Sequence, residues 1–181
     1  KSSAELDALG WDEGVAAAYR ELFRRTKGYR TVSCLENTAG GGSTIGRTFD
    51  ELAALRGMIV EAVDQPDRIG FCVDTCHAHA GGYDLASDQS ARAAIDSMAT
   101  LLGFENIRVL HLNDSKGKAG SRLDRHEHIG AGTIGNPGFA AILGESGLRG
   151  KPMILETPKG VDDDGVAWDT RNVRSLLELV K

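Results

Sequence analysis

Seven side chains of metal-binding type fall in a regular order along this sequence: Glu36, Asp74, His77, His111, Asp124, His126 and Glu156. Three imidazoles and four carboxylates offer the nitrogen and oxygen donors that suit Zn²⁺, Mn²⁺ or Fe²⁺. Glu36, Asp74, His111 and Glu156 stand 38, 37 and 45 residues apart, and each interval is the length of one strand–helix unit. Asp74 and His77 are three apart, and Asp124 and His126 two apart. A catalytic zinc takes about three protein ligands and a water, so seven ligands imply two or more metals. Arg122 and Arg125 flank the third set, and guanidinium donors suit phosphate. Metals that acidify a bound water and stabilise a leaving oxygen, set beside arginines, point to phosphoester hydrolysis.

Each residue also has a plainer reading. Glu36 alone is an ordinary strand-end carboxylate, although Asn37 and the glycine-rich run Gly40-Gly41-Gly42 shape a backbone for close approach of a ligand. Cys72 and Cys76 form a C-x₃-C pair that reads as redox-active or zinc-binding only if a second cysteine pair completes it, and none does. Cys34 reads as a small core residue. His79 and His128 read as exposed loop histidines, and Ser121 to His126 taken alone is a solvated charged loop.

The elements that must position these residues alternate two periods. Trp11, Val15, Tyr19, Leu22 and Phe23 recur at helical spacing, with Lys27-Gly28 as a stop. An extended run, Thr31 to Leu35, then leads into Glu36. Thr48 and Glu51 read as a capping box opening a helix whose apolar face is Phe49, Leu52, Ala53, Ile59, Val60 and Val63. Further strands are expected at Ile69 to Val73, Ile107 to Leu110 and Met153 to Leu155. A loop through Gly81-Gly82 precedes a helix with Ala91, Ile95, Met98 and Leu102. Asn136 reads as the cap and Pro137 as the first residue of a short helix, and Val173, Leu176, Leu177 and Val180 mark a closing one. Four continuous apolar strands separated by helices mean a parallel α/β sheet buried on both faces. Ligands then collect at its C-terminal edge, and only the barrel version turns all four toward one axis.

Composition sets the outer limits. Apolar residues are 41% and charged residues 26% of the 181, a folded globular balance that excludes disordered and collagen-like chains. No apolar run approaches the ~20 residues of a bilayer span, and Lys1 to Glu5 carries no apolar signal region. Three cysteines build no disulfide framework, so the expected location is a reducing cytoplasm. The net charge of −5 argues against a simple basic phosphate-binding surface. With the four carboxylates compensated by metal it becomes −1, and a DNA-facing mouth is allowed.

At these residues the sequence resembles endonuclease IV, the zinc-dependent apurinic/apyrimidinic (AP) endonuclease family of base-excision DNA repair. The matching stretches are Leu35-Glu36-Asn37-Thr38-Ala39-Gly40, Asp74-Thr75-Cys76-His77-Ala78 through Gly82-Tyr83-Asp84, His111-Leu112-Asn113-Asp114 with Gly120 to His126, and Ile154-Leu155-Glu156-Thr157. The resemblance implies a TIM-type (β/α)₈ barrel with three zincs at its C-terminal face and hydrolysis of the phosphodiester 5′ to an abasic site in double-stranded DNA, leaving a 3′-hydroxyl. By the same resemblance Glu36 bridges the first and second zincs. Asp74, His111 and Glu156 complete the second, and His77, Asp124 and His126 hold the third. Glu36 and Glu156 are the catalytic carboxylates, while Arg125 and Arg122 lie near the DNA backbone. Water activated between the first two zincs attacks, and the third steadies the departing oxygen.

Nothing in the sequence matches the two histidines that complete the first zinc in the family, and an eight-stranded barrel typically needs ~250 residues. Residues 1–181 are therefore expected to form one domain, an N-terminally truncated C-terminal half-barrel holding strands five to eight. It should complete two zinc sites, with Mn²⁺ or Fe²⁺ as possible substitutes, and be weakly active or inactive alone. The intact family enzyme is expected to need no membrane or obligate protein partner, whereas the isolated fragment is prone to self-association. A divalent-metal sugar isomerase or epimerase of the xylose-isomerase-like barrels is the alternative, since Glu, Asp, His and Glu at strand ends serve that chemistry too. A third reading is a metal-binding half-barrel without activity.

Overall fold

The structure, a computed structural model, describes residues 11–42 and 44–180. The expectations for Lys1 to Glu5 and for the side chain of Trp11 lie outside the described residues. Helix α1 (Trp11–Arg25) leads to β1 (Ser33–Glu36), α2 (Phe49–Ala62), β2 (Ile69–Asp74), the short α3 (Thr75–Gly81), α4 (Asp88–Leu102) and β3 (Ile107–His111). A two-stranded ribbon, β4 (Asp114–Ser115) with β5 (His126–Glu127), precedes α5 (Gly135–Gly144), β6 (Met153–Ile154) and α6 (Trp168–Glu178).

Strands β1, β2, β3 and β6 pair in parallel in sequence order. Helical connections between neighbouring parallel strands are the repeat of a TIM-barrel-like α/β fold. The register sets Asp74 opposite His111 and His111 opposite Ile154, two residues before Glu156. All four strand-end candidate ligands thus share one edge. Phe49, Leu52 and Ile59 of α2, Phe71 and Val73 of β2, Ile95 and Met98 of α4 and Leu110 of β3 form one buried core.

Burial on both faces holds only for β2, where all six residues are buried. β1 and β3 are partly covered, and β6 is exposed at Met153 and Ile154, because among the described residues it ends the sheet. The closing helix is likewise half-uncovered. Leu176 packs against the core, whereas Val173, Leu177 and Val180 are 45%, 58% and 54% exposed. Leu22 of α1 also faces out, at 42%.

Local chemistry explains most element boundaries. Thr48 Oγ1 accepts the Glu51 N–H while the Glu51 carboxylate reaches back to the N–H groups of Gly46 and Arg47. Ser87 and Ser90 form a capping box for α4. Three expectations are corrected. The loop expected after β2 is in fact helix α3, because Asp74 caps it by accepting the His77 N–H at 2.9 Å. Helix α5 begins at Gly135, so Asn136 is inside its first turn and Pro137 follows. Its capping carboxylate comes from elsewhere in the chain: Asp114 accepts the N–H groups of Ile134 and Gly135. The stretch from Ser121 to His126, which taken alone reads as a solvated charged loop, ends in the β4–β5 ribbon, in which Ser115 faces His126.

Candidate metal centre

The strand-end register brings the first group together. Glu36, Asp74, His111 and Glu156 each offer one donor atom, all within 4.8 Å of one another. His111 Nδ1 is 3.2 Å from Glu36 Oε1, 3.2 Å from Glu156 Oε2 and 3.8 Å from Asp74 Oδ2. A second group converges beside it from α3 and the β4–β5 loop. His77 Nε2 lies 3.2 Å and His126 Nε2 3.6 Å from Asp124 Oδ1. The groups adjoin, with His126 Nε2 3.8 Å from Asp74 Oδ2 and His77 Nδ1 3.4 Å from Glu36 Oε1. All seven residues singled out from the sequence therefore meet at one end of the sheet.

The donor set fits divalent cations on two further grounds. His111 Nδ1 and His126 Nε2 are buried with no hydrogen-bond partner. A buried unsatisfied ring nitrogen costs about 1–3 kcal/mol, and here both point at carboxylates a cation would bridge. In the second group the rear nitrogens are held: His77 Nδ1 sits 2.9 Å from the Asn37 carbonyl and His126 Nδ1 3.1 Å from that of Glu156. Donating these N–H groups backward leaves both Nε2 lone pairs facing Asp124, the arrangement that supports metal-ligating histidines.

Charge follows the same pattern. Burial alone would depress His77, but Glu36, Asp74 and Asp124 lift its pKa to about 9. His77 in turn holds Glu36 below the usual carboxylate range against burial. Desolvation raises Asp74. The pocket thus draws a proton into an excess of carboxylate, and a metal entering it competes with that proton.

Several residues around the centre were not foreseen. Buried Asn37 spans β1 and β2, accepting the Asp74 N–H at 2.8 Å and donating to the Asp74 carbonyl at 3.1 Å. Buried Asn113 donates to Asp74 Oδ2 at 2.6 Å and accepts the Glu156 N–H at 2.8 Å. Thr75 Oγ1 secures Asn113 in place by accepting its N–H and donating to its carbonyl. Asn172 joins Ile129, Thr157 and His128. The one sequence signal was an asparagine just after a strand-end ligand, which reads equally well as a turn residue.

Other expectations change. His79 is only 1% exposed. Its Nδ1 accepts the Leu85 N–H and its Nε2 meets Thr133 Oγ1, so it pins α3 to two loops. His128 is half-buried and stacks on Trp168 with ring centroids 3.7 Å apart. Cys34 is only partly buried, whereas Cys72 and Cys76 are buried free thiols. Desolvation pushes both upward, Cys76 to about 11, and both sit within donor distance of candidate ligands, Cys72 beside Glu36 and His111 and Cys76 beside Asp74 and His126. Arg122 and Arg125 are exposed, and among the described residues neither guanidinium pairs with a carboxylate. Arg125 donates to the Asp124 carbonyl. Arg122 takes a left-handed backbone, φ 56°, while its N–H donates to the Ala80 carbonyl.

A family model described as a xylose isomerase-like TIM barrel matches residues 4–178. A probable endonuclease 4 from Trichlorobacter lovleyi is 43% identical over 167 residues, covering 92% of this chain and 57% of that protein. An apurinic-apyrimidinic endonuclease from Caenorhabditis elegans is 44% identical over 129 residues, covering 71% of this chain and 32% of its own length. The crystal structure of endonuclease IV from Thermus thermophilus superposes with a TM-score of 0.70 at 38% identity, covering 86% of this chain and 53% of that one. The chain spans about half the length of the curated relatives it matches.

Proposed function

We propose, from the premise that this chain belongs to the endonuclease IV branch of the xylose isomerase-like TIM barrels, that it supplies the metal-binding face of an AP endonuclease. The reaction is hydrolysis of the phosphodiester 5′ to an abasic site in double-stranded DNA, leaving a 3′-hydroxyl. The observation that carries the reading is the second ligand group, His77, Asp124 and His126, against the first. Sugar isomerisation uses a strand-end set like the first and has no need of the second.

We assign Glu36, Asp74, His111 and Glu156 to one zinc and His77, Asp124 and His126 to another, with Mn²⁺ or Fe²⁺ as substitutes. Bound there, the metals supply Lewis acidity toward the phosphate oxygens and a more acidic water. The chain's own groups do the rest. Glu36 and Glu156 flank His111 and hold carboxylate oxygens at the point where a phosphate would enter. Asn37 and the Glu156 carbonyl keep the two second-group imidazoles turned forward. Arg125 and Arg122 offer guanidinium donors to the DNA backbone at the rim. The four parallel strands correspond in this reading to strands five to eight of the barrel, and residues 1–181 to its C-terminal half. A further metal would need ligands from strand ends other than those described here.

The test pairs metal analysis of the 181-residue chain with cleavage of an oligonucleotide duplex carrying an abasic-site analogue. Two equivalents of zinc, with 5′ incision far slower than by a relative of full length, is the expected result. Full activity from this chain would refute the half-barrel assignment. Turnover of a ketose with none on DNA would refute the nuclease and favour the isomerase.

A further inference from the structure

Two adjacent residues, Asn113 and Asp114, lie behind the metal centre without joining it. Both are fully buried, and they face opposite ways. Asn113 turns toward the first group. Its amide nitrogen donates to Asp74 Oδ2 at 2.6 Å, and its amide oxygen accepts the Glu156 N–H at 2.8 Å. Asp74 Oδ1 is already occupied by the His77 N–H, so Asn113 fixes the rotation of that carboxylate. The same side chain sets the backbone from which Glu156 projects. Two of the four first-group ligands therefore depend on one amide.

Asp114 turns toward the return loop. Its Oδ1 accepts the N–H groups of Ser115 and Ile134, and its Oδ2 those of Gly130, Gly132 and Gly135, at 2.7–3.2 Å. A Cβ at Gly132 would collide with this carboxylate and with the Ser115 carbonyl, so the loop can close around it only with glycine there. The excursion between Ser115 and Gly130 carries Asp124 and His126; the two-residue pairing of β4 with β5 ties its base, and the Gly120 and Arg122 N–H groups hold its tip to the His79 and Ala80 carbonyls of α3. Asp114 gathers both ends of that excursion onto one anion.

We infer that Asn113 and Asp114 are positioning residues that divide the centre between them, Asn113 setting the Glu36–Asp74–His111–Glu156 group and Asp114 the His77–Asp124–His126 group. The inference rests on the reading that both groups hold metal. A general structural role predicts that either change would weaken both groups alike. A divided role predicts a double dissociation.

The experiment titrates Zn²⁺ into the metal-free chain against a chromophoric chelator. D124A and E156A serve as references that identify which affinity belongs to which group, and thermal unfolding is followed in parallel. N113D keeps the acceptor for the Glu156 N–H but sets a carboxylate against Asp74. It should weaken the first group roughly 10- to 100-fold, the usual range for loss of a supporting hydrogen bond, and leave the second within about threefold. D114N retains one acceptor oxygen for five N–H groups and should do the reverse. Should D114N fail to fold, G132A, which keeps the carboxylate and displaces the loop around it, should give the same selective loss, and N113A serves likewise for N113D. Equal weakening of both groups, or no change in either, overturns the inference. A parent chain that binds fewer than two equivalents overturns instead the metal assignment beneath it.

Discussion

Asp124 is the most exposed of the seven candidate ligands, with 62% of its side chain accessible, and no backbone donor among the described residues orients it. Its contribution is therefore separable from folding. D124A should lower bound zinc by one equivalent, leave the His111-centred site loaded, and change the unfolding midpoint of the metal-free chain little. An unchanged metal content would reduce the 116–126 loop to a charged surface. Arg125 offers a complementary test. Its backbone is fixed because its carbonyl accepts the Lys116 N–H, while its exposed guanidinium, which donates only to the neighbouring Asp124 carbonyl among the described residues, has donors left to meet a phosphate. R125A should weaken binding to a duplex with an abasic-site analogue and reduce the slope of log affinity against log salt by about one, with metal content unaltered. A slope equal to that of the parent would remove Arg125 from the interface.

At the scale of elements, legibility followed periodicity. The strands and longer helices could be read because parallel strands are continuous apolar runs and α4 repeats Ala91, Ile95, Met98 and Leu102 on one face. Boundaries drifted by a residue or two, as at β1, which starts at Ser33 and not Thr31. Helix α3 was missed because seven residues of Thr, Cys, His, Ala and Gly hold too few turns to show a period. Its start signal, Asp74, had already been read as a candidate ligand, and the structure gives it the cap as well as a place in the candidate metal group. The cap of α5 was misread for a different reason: its carboxylate, Asp114, is 20 or more residues away in sequence, and capping rules look only at neighbours. The candidate ligands were legible because their types recur at each strand end. Asn37 and Asn113 were not, since their partners are 37–43 residues distant. Ser87 tests the local rule where it did hold: S87A removes the α4 capping box and should cost about 1 kcal/mol in denaturant unfolding, with zinc affinity unchanged.

For the molecule as a whole, β1 and β6 are the edges of the sheet among the described residues. Beside β6, Leu112, Leu143, Met153, Leu155, Val173 and Leu177 line an open apolar groove of about 220 Å³. Unprotected edges and apolar patches of this kind invite pairing with another chain. The isolated chain should therefore self-associate with rising concentration in sedimentation measurements. I154K, a charge on the exposed edge strand, should shift it toward monomer without changing metal content. A chain that stays monomeric at every concentration tested would show that this surface is tolerated as it stands.

Arg122 is the one non-glycine residue with positive φ among those described, and a left-handed backbone costs an L-residue roughly 1–2 kcal/mol relative to glycine. Loss of the guanidinium and relief of the backbone can thus be dialled separately at a single codon. R122A and R122G should weaken DNA binding equally, yet R122G should be the more stable by about 1 kcal/mol, less the extra freedom glycine gains when unfolded. Arginine bears the same backbone cost as alanine, so a position where the glycine variant binds less well but folds better than the parent arginine is where selection for activity and selection for stability pull in opposite directions.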